Sequence, residues 1–315
     1  MTEAKAPVPG FSMVIPPAVF DPELERRLGR GLGRVEARLE ACTARVADPR
    51  MAEIVGHLLA AEGERLRPLL ALLGGEFGSG RAEGAVDAGA VAELVHAASL
   101  HHDDVMDGAP VRHGVPSVNA LWGNRLAVLA GDWLLGQAAR IAVGLGPEAV
   151  RLHARTAERL VLGRCRKVTG SRPGADPFEH HVEAAGKTAA LFSMALSVGA
   201  LQSGAPRYVV CDLGEFGERL GTAFQMSDDL SDVTSPSSLL DRAQPRARWA
   251  DGDGPDWAGV ERALEPLPAS LAVARTRRAV DGCLARARDV LERLPDIPAR
   301  EALGSICDSV TTRAA

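Results

Sequence analysis

Two short runs of acidic residues set the chemical question. Residues 99 to 114 read SLHHDDVMDGAPVRHG and put Asp103, Asp104 and Asp107 within five positions. Residues 224 to 233 read FQMSDDLSDV and repeat the spacing with Asp228, Asp229 and Asp232. On a helix, Asp103 and Asp107 share a face, and so do Asp228 and Asp232. Four carboxylates on two facing helices repel one another unless a cation compensates them. Magnesium suits the task. It is a hard, oxygen-seeking ion that takes one or two carboxylates and keeps positions for substrate phosphate. The alternative is a pair of solvated helix ends holding nothing.

Other residues bear on the same chemistry. The chain holds only three lysines, Lys5, Lys167 and Lys187, beside 33 arginines. Lys187 stands between Gly186 and Thr188 in an otherwise apolar helical stretch, which suggests a need for a compact ammonium. A lysine laying its stem along apolar surface is the competing reading. His101, His102 and Asp103 contain the His-Asp pair of helical phosphohydrolases. That chemistry needs further histidine ligands; His180 and His181 are available, but the second acidic run contains none.

The elements that would carry these groups are helical. In VAELVHAASLHHDD, Val91, Leu94, Val95 and Ala98 share one face. In FGERLGTAFQMSDDL, Phe216, Leu220 and Phe224 do the same. Glycine and proline cluster between such stretches, at GGEFGSGRAEG, GLGPEA and SRPGADP. Alternating β-branched strands are missing. The expectation is an all-α, single-domain bundle of roughly ten helices. Residues 1–18 read as an extended proline-rich arm and 19–315 as the helical domain. The irregular stretch 234–257 follows the second acidic run directly and reads as a mobile or functional loop.

Bulk composition narrows the field. Apolar residues make up 46% and charged residues 24% of the 315, an ordinary globular balance with ample material for a core. A net charge of −5 argues against nucleic acid, whose binders carry basic stripes. The five cysteines form no CxxC pair, so reduced thiols are expected. No signal pattern opens the chain, and the longest apolar run, LAVLAGDWLLGQAARIAVGLG, is broken by Asp132 and Arg140. A cytoplasmic protein without a membrane span is expected.

DDVMD with Arg112, then NALWG and AVLAGDWLL, resembles the first aspartate-rich region of the trans-isoprenyl diphosphate synthases, the polyprenyl synthase family. FQMSDDLSD is similar to the second region, GERLRPLL to the family's GGKRxRP, and GKTAALF at 186–192 to its KTxxLF segment. The resemblance runs from about residue 50 to the end, in the family's order.

It implies an isoprenoid synthase bundle around a deep central cavity. There Asp103, Asp104, Asp107, Asp228, Asp229 and Asp232 would hold three Mg²⁺ ions against the diphosphate of an allylic prenyl substrate. Arg112, Lys187 and Arg67 would complete the clamp. Gln225 would lie beside the leaving group and Thr188 beside the allylic cation. Asp103, Asp107, Asp228 and Lys187 would carry the ionisation. Phe192 and Phe224 are candidates to face a carbocation, and Ser99 and Ala98 to floor the cavity with room for fifteen to twenty carbons. A homodimer is also implied.

Four departures bear on the reaction. In chain-elongating members, isopentenyl diphosphate is held by the Lys and second Arg of GGKRxRP, a histidine before the first motif, and an Arg pair. Here these positions are Glu64, Arg67, His96 and Arg112–His113. The loop after the second motif has no lysine, and LVLGRCRKVTG carries Arg164 where acidic or amide residues are usual. A carboxylate in place of a lysine repels a diphosphate. The sequence therefore favours a terpene synthase on a prenyl-synthase scaffold. The alternatives are a prenyltransferase that condenses isopentenyl diphosphate with an allylic diphosphate, and a non-catalytic subunit, against which both intact motifs argue.

Overall fold

A computed structural model describes residues 21–61, 63–79, 82–169, 177–234 and 269–314. The arm expected over 1–18 and, apart from Thr234, the loop expected over 234–257 lie outside the described residues. Among the described residues are eleven helices: α1 Pro22–Thr43, α2 Pro49–Ala60, α3 Leu66–Gly75, α4 Ala82–Asp107, α5 Val118–Trp122, α6 Asn124–Gly144, α7 Pro147–Thr169, α8 Pro177–Gln202, α9 Arg207–Thr234, α10 Ala269–Leu291 and α11 Pro298–Ala314.

Local sequence starts several of these helices. Asp-Pro opens both α1 and α2. The proline takes the first helical position, where a missing N–H costs nothing. The aspartate before it caps the turn: Asp21 accepts from the Glu23 amide at 3.1 Å, and Asp48 from those of Arg50 and Met51 at 2.9 and 3.0 Å. Helix α4 ends just past the first acidic run, where Gly108 turns left-handed at φ +61°.

The all-α expectation is met with one small addition. Strand β1, Val111–Arg112, pairs antiparallel with β2, Val115–Pro116. The two residues between them, His113 and Gly114, both have positive φ, +49° and +75°. Two left-handed residues in succession make the turn that suits a two-residue hairpin. This hairpin returns Arg112 toward the end of α4.

Helix α8 is the hub, packing against α3, α4, α7 and α9. Its contact with α9 is backbone-close because α9 carries Gly214, Gly217 and Gly221 on one side. A Cβ at Gly221 would lie 2.6 Å from the Ala189 Cα, and one at Gly217 would lie 2.6 Å from the Ser193 backbone. Glycine permits that approach. The same holds between α8 and α3, where Gly199 abuts the Ala71 carbonyl and Gly74 the Leu196 carbonyl. The core around them is aliphatic, with Leu70, Leu73, Leu94, Leu196 and Leu220 fully buried.

Helix α6 packs on α4 but leaves Val128, Leu129 and Val143 exposed. By length and composition it is long and apolar enough to cross a membrane, a test the sequence reading had it fail on account of Asp132 and Arg140. The larger cavity, about 490 Å³, lies between α1, α3 and α4, lined by Arg27, Gly31, Leu72 and Val86; it holds none of the expected site residues.

Candidate active site

The first acidic run occupies the last turn of α4. The helix dipole already puts partial negative charge there, so three carboxylates need cations close by. The structure supplies them from three elements. Lys187 of α8 pairs with Asp103. Arg164 of α7 reaches both face-sharing aspartates: it lies 3.4 Å from an Asp103 carboxylate oxygen, 2.9 Å from an Asp107 carboxylate oxygen, and donates to the Asp103 carbonyl at 2.9 Å. Arg112 of β1 donates to Asp104, its Nε at 2.9 Å from Oδ1.

Asp104 therefore differs from its neighbours. One residue past Asp103, it is rotated about 100° around the helix, following the 3.6-residue turn. Its side chain is 1% exposed, against 14% for Asp103 and 44% for Asp107. The sequence reading grouped Asp104 with the metal ligands. In the structure it anchors Arg112, and a carboxylate buried beneath an arginine has no open side to offer an ion. Its second oxygen has no hydrogen-bond partner among the described residues.

The second run lies on α9, where the glycine contact sets its height against α8. Gly221 sits beneath Ala189, and one turn on, Thr188 Oγ1 donates to Gln225 Oε1 at 2.6 Å. Gln225 Nε2 in turn donates to Asp229 Oδ1 at 3.0 Å. Thr188 and Gln225, expected on opposite sides of the reacting bond, are thus linked directly, and Asp229 fixes the amide. Asp228 is half-buried, and its charge acts on Arg67. The side chain of Asp232 lies outside the described residues.

These donors fit a hard divalent ion in one particular way. Among the described residues, no three His, Cys, Asp or Glu side chains converge to cage a metal. Carboxylates that present one or two oxygens to an ion match Mg²⁺ completed by phosphate and water rather than a closed protein site.

Beside the acid motifs lies a second group of opposite charge. His96 is held neutral, its pKa driven well below the usual value by burial and then by the nearby charges of Arg67, Lys187, His113 and Arg112. The pKa of His113 is also lowered by burial and by Arg112. Burial lowers that of Arg67, against the raising influence of Glu93, Glu64 and Asp228. Arg67 Nε is buried without a hydrogen-bond partner among the described residues. Two imidazoles held neutral among three cations form a pocket ready for an anion. Ser99 is half-buried beside it and donates to the His96 carbonyl at 2.8 Å.

The aromatic expectations change. Phe192 is fully buried, with its ring centroid 5.4 Å from that of Phe224. The guanidinium of Arg67 stands 5.7 Å over the Phe192 ring. The cation that Phe192 faces is a side chain of the protein, which leaves this face unavailable to a carbocation.

Sequence reasoning missed Arg164 as a site residue. LVLGRCRKVTG marked the departure, but Arg164 and Asp103 are 61 residues apart, and only the packing of α7 and α8 against α4 joins them. It also missed the support behind Arg67. Arg65, left-handed at φ +47°, is pinned by Glu36 at 2.6 Å, by the Leu59 carbonyl at 2.5 Å, and by the buried Glu93 at 2.9 Å. That strained residue, pinned on three sides, sets the entry to α3 and hence where Arg67 points.

A family model described as Polyprenyl synthetase matches residues 48–244. A nonaprenyl diphosphate synthase from Mycobacterium tuberculosis is 39% identical over 311 residues, covering 90% of this chain and 92% of that protein. A decaprenyl diphosphate synthase from Rhodobacter capsulatus superposes with a TM-score of 0.77 at 29% identity, covering 93% of this chain and 99% of the other. The geranylgeranyl pyrophosphate synthase of Corynebacterium glutamicum, solved with calcium and isoprenyl diphosphate, gives 0.71 at 32% identity, covering 94% and 99%.

Proposed function

The chain belongs to the polyprenyl synthetase family, and from that premise we propose that it is a magnesium-dependent trans-prenyltransferase, which condenses isopentenyl diphosphate with an allylic diphosphate. The sequence reading preferred a terpene synthase because Glu64 and His113 replace acceptor-site cations. The relatives support elongation instead. So does one observation in the site: the field of Arg67, Arg112, Lys187 and His113 converges on His96 beside the acid motifs. An enzyme that only ionised an allylic substrate would need no second anion pocket. The sign reversal at Glu64 was weighed alone; the summed charge around His96 stays positive.

Asp103, Asp107 and Asp228 would hold Mg²⁺ together with the allylic diphosphate. The metal's chemistry there is to stabilise negative charge on the departing diphosphate. Lys187 and Arg112 add fixed positive charge on the same group, and Asp104 keeps Arg112 in place. The carbon–oxygen bond breaks with its electron pair leaving on the diphosphate. Thr188 already donates its proton to Gln225. Its oxygen lone pairs therefore face outward as a dipole toward the allylic cation. Arg67, His96 and His113 hold the second diphosphate, so that the isopentenyl double bond attacks the cation. A new carbon–carbon bond forms, and the released diphosphate accepts the proton lost from the adjacent carbon.

Small residues at the expected floor, Ala98 fully buried and Ser99 beside it, support products of twenty carbons or more. The exposed apolar residues of α6 and α7, among them Leu129, Val143 and Val161, support a homodimer. Light scattering on a sizing column should read twice the chain mass; the mass of one chain at micromolar concentration would refute it.

The decisive assay offers geranyl, farnesyl or geranylgeranyl diphosphate with Mg²⁺, each with and without isopentenyl diphosphate. Longer diphosphates formed only with isopentenyl diphosphate are expected. Hydrocarbon or alcohol from the allylic substrate alone would restore the terpene-synthase reading.

A further inference from the structure

Arg164 stands where an ion shared by Asp103 and Asp107 would stand. Its side chain is 11% exposed, and it contacts both carboxylates as well as the Asp103 carbonyl. With Lys187 on Asp103 as well, two positive charges answer two negative ones. The face of α4 that carries the first motif is neutralised by the protein itself. A planar guanidinium suits such a bridge, because its donors fork in fixed directions and can meet two carboxylates at once.

We propose that Arg164 is a resident cation that holds the ion's place between Asp103 and Asp107, so that this motif takes its metal only together with diphosphate. The inference rests on the magnesium reading of the site and adds an order to it. Free Mg²⁺ must displace a guanidinium already paired twice, and it gains no net charge compensation by doing so. A metal–diphosphate complex brings an anion of its own, onto which Arg164 can swing. The absence of any three-carboxylate cage among the described residues accords with this.

Manganese binding, read by electron paramagnetic resonance on the full chain, tests the idea without turnover. Wild type, Arg164→Gln and Arg155→Gln would each be titrated with Mn²⁺, with and without inorganic pyrophosphate. Arg155 is an exposed arginine on the same helix, nine residues away or about 13 Å along the axis. Without pyrophosphate, Arg164→Gln is expected to bind Mn²⁺ at least tenfold more tightly than wild type, and Arg155→Gln to match wild type. Pyrophosphate should tighten wild type at least tenfold and close the gap.

Equal affinity of wild type and Arg164→Gln without pyrophosphate overturns the proposal, as does equal tightening by Arg155→Gln. If no protein binds Mn²⁺ even with pyrophosphate, the magnesium reading itself falls and takes the proposal with it. Should Arg164→Gln not fold, Arg164→Lys decides. Its ammonium cannot span both carboxylates, so about threefold tighter metal binding is expected, and wild-type affinity would refute the bridge.

Discussion

Replacing Asp104 with asparagine should separate two roles that the acidic run merges. Asparagine keeps the shape and one carbonyl oxygen that can accept from Arg112, so the cavity is conserved while the charge is lost. A hydrogen bond to a charged partner contributes about 1.5–3 kcal/mol, and a neutral one about 1 kcal/mol. Because Arg112 is 30% exposed, it can recover some hydration. The loss should then stay below the roughly 3–5 kcal/mol of breaking a fully buried pair. A net cost of about 1–2 kcal/mol follows. At about 2–4 °C per kcal/mol for larger domains, the melting midpoint falls by about 2–8 °C. An Arg112 released by the same amount should raise KM for the allylic diphosphate by about 5- to 30-fold. Mn²⁺ affinity with pyrophosphate present should be unchanged. Asp103→Asn should do the opposite, abolishing metal binding and turnover with a smaller effect on melting. Differential scanning fluorimetry and a Mn²⁺ titration on both variants decide the matter. If Asp104→Asn loses metal as Asp103→Asn does, while its melting point stays put, the assignment of Asp104 to Arg112 is wrong.

Three further outcomes are expected. Gly221→Ala puts a methyl 2.6 Å from the Ala189 Cα; overpacking should cost about 1–3 kcal/mol, and an unchanged urea midpoint would mean the helices part freely. His96 has a native pKa well below its unfolded value, through burial and the charges of Arg67, Lys187, His113 and Arg112, so below pH of about 6.5 the unfolded chain binds the extra proton. Stability on this account is complete above that pH and lost as pH falls below it, by about 1.4 kcal/mol per unit; in denaturant melts from pH 7 to pH 5.5, His96→Gln should decline less steeply than wild type, and parallel declines would contradict the shift. Ala98→Phe fills a fully buried position on α4 and should shorten the products seen by liquid chromatography, whereas an unaltered product distribution would move the cavity floor elsewhere.

Much of this was legible from spacing. The i, i+4 aspartates, the apolar faces leading to them and the Asp-Pro helix starts are local features, and local rules read them. Asp103 and Asp104 could not be told apart in that way. Both are aspartates in one run, and which of them is buried depends on how α4 is rotated against the β1–β2 hairpin. The hairpin itself rests on a left-handed His113, a conformation uncommon for histidine. Arg164 was noticed as an oddity and not as a partner, because its contacts cross the bundle. Glu64 misled for a related reason. One reversed charge was weighed by itself, whereas an anion pocket answers to the sum of the charges around it. Phe192 was likewise a candidate for the substrate cation until Arg67 was found over its ring.

The glycine contacts of α8 have a further bearing on how such an enzyme can change. Arg67, of the second anion pocket, begins α3; Lys187, Thr188 and the aspartates of α9 serve the first. Because α8 meets both α3 and α9 backbone to backbone, the gap between the two diphosphates is fixed by main chain, which side-chain substitutions barely move. The molecule thus separates a stroke of constant length from a product of variable length. Each round of elongation happens at the same span, and the finished tail is measured elsewhere, along the face of α4 that carries Ala98 and Ser99. Selection for longer or shorter products can act on that face one residue at a time while the reacting geometry stays as it was.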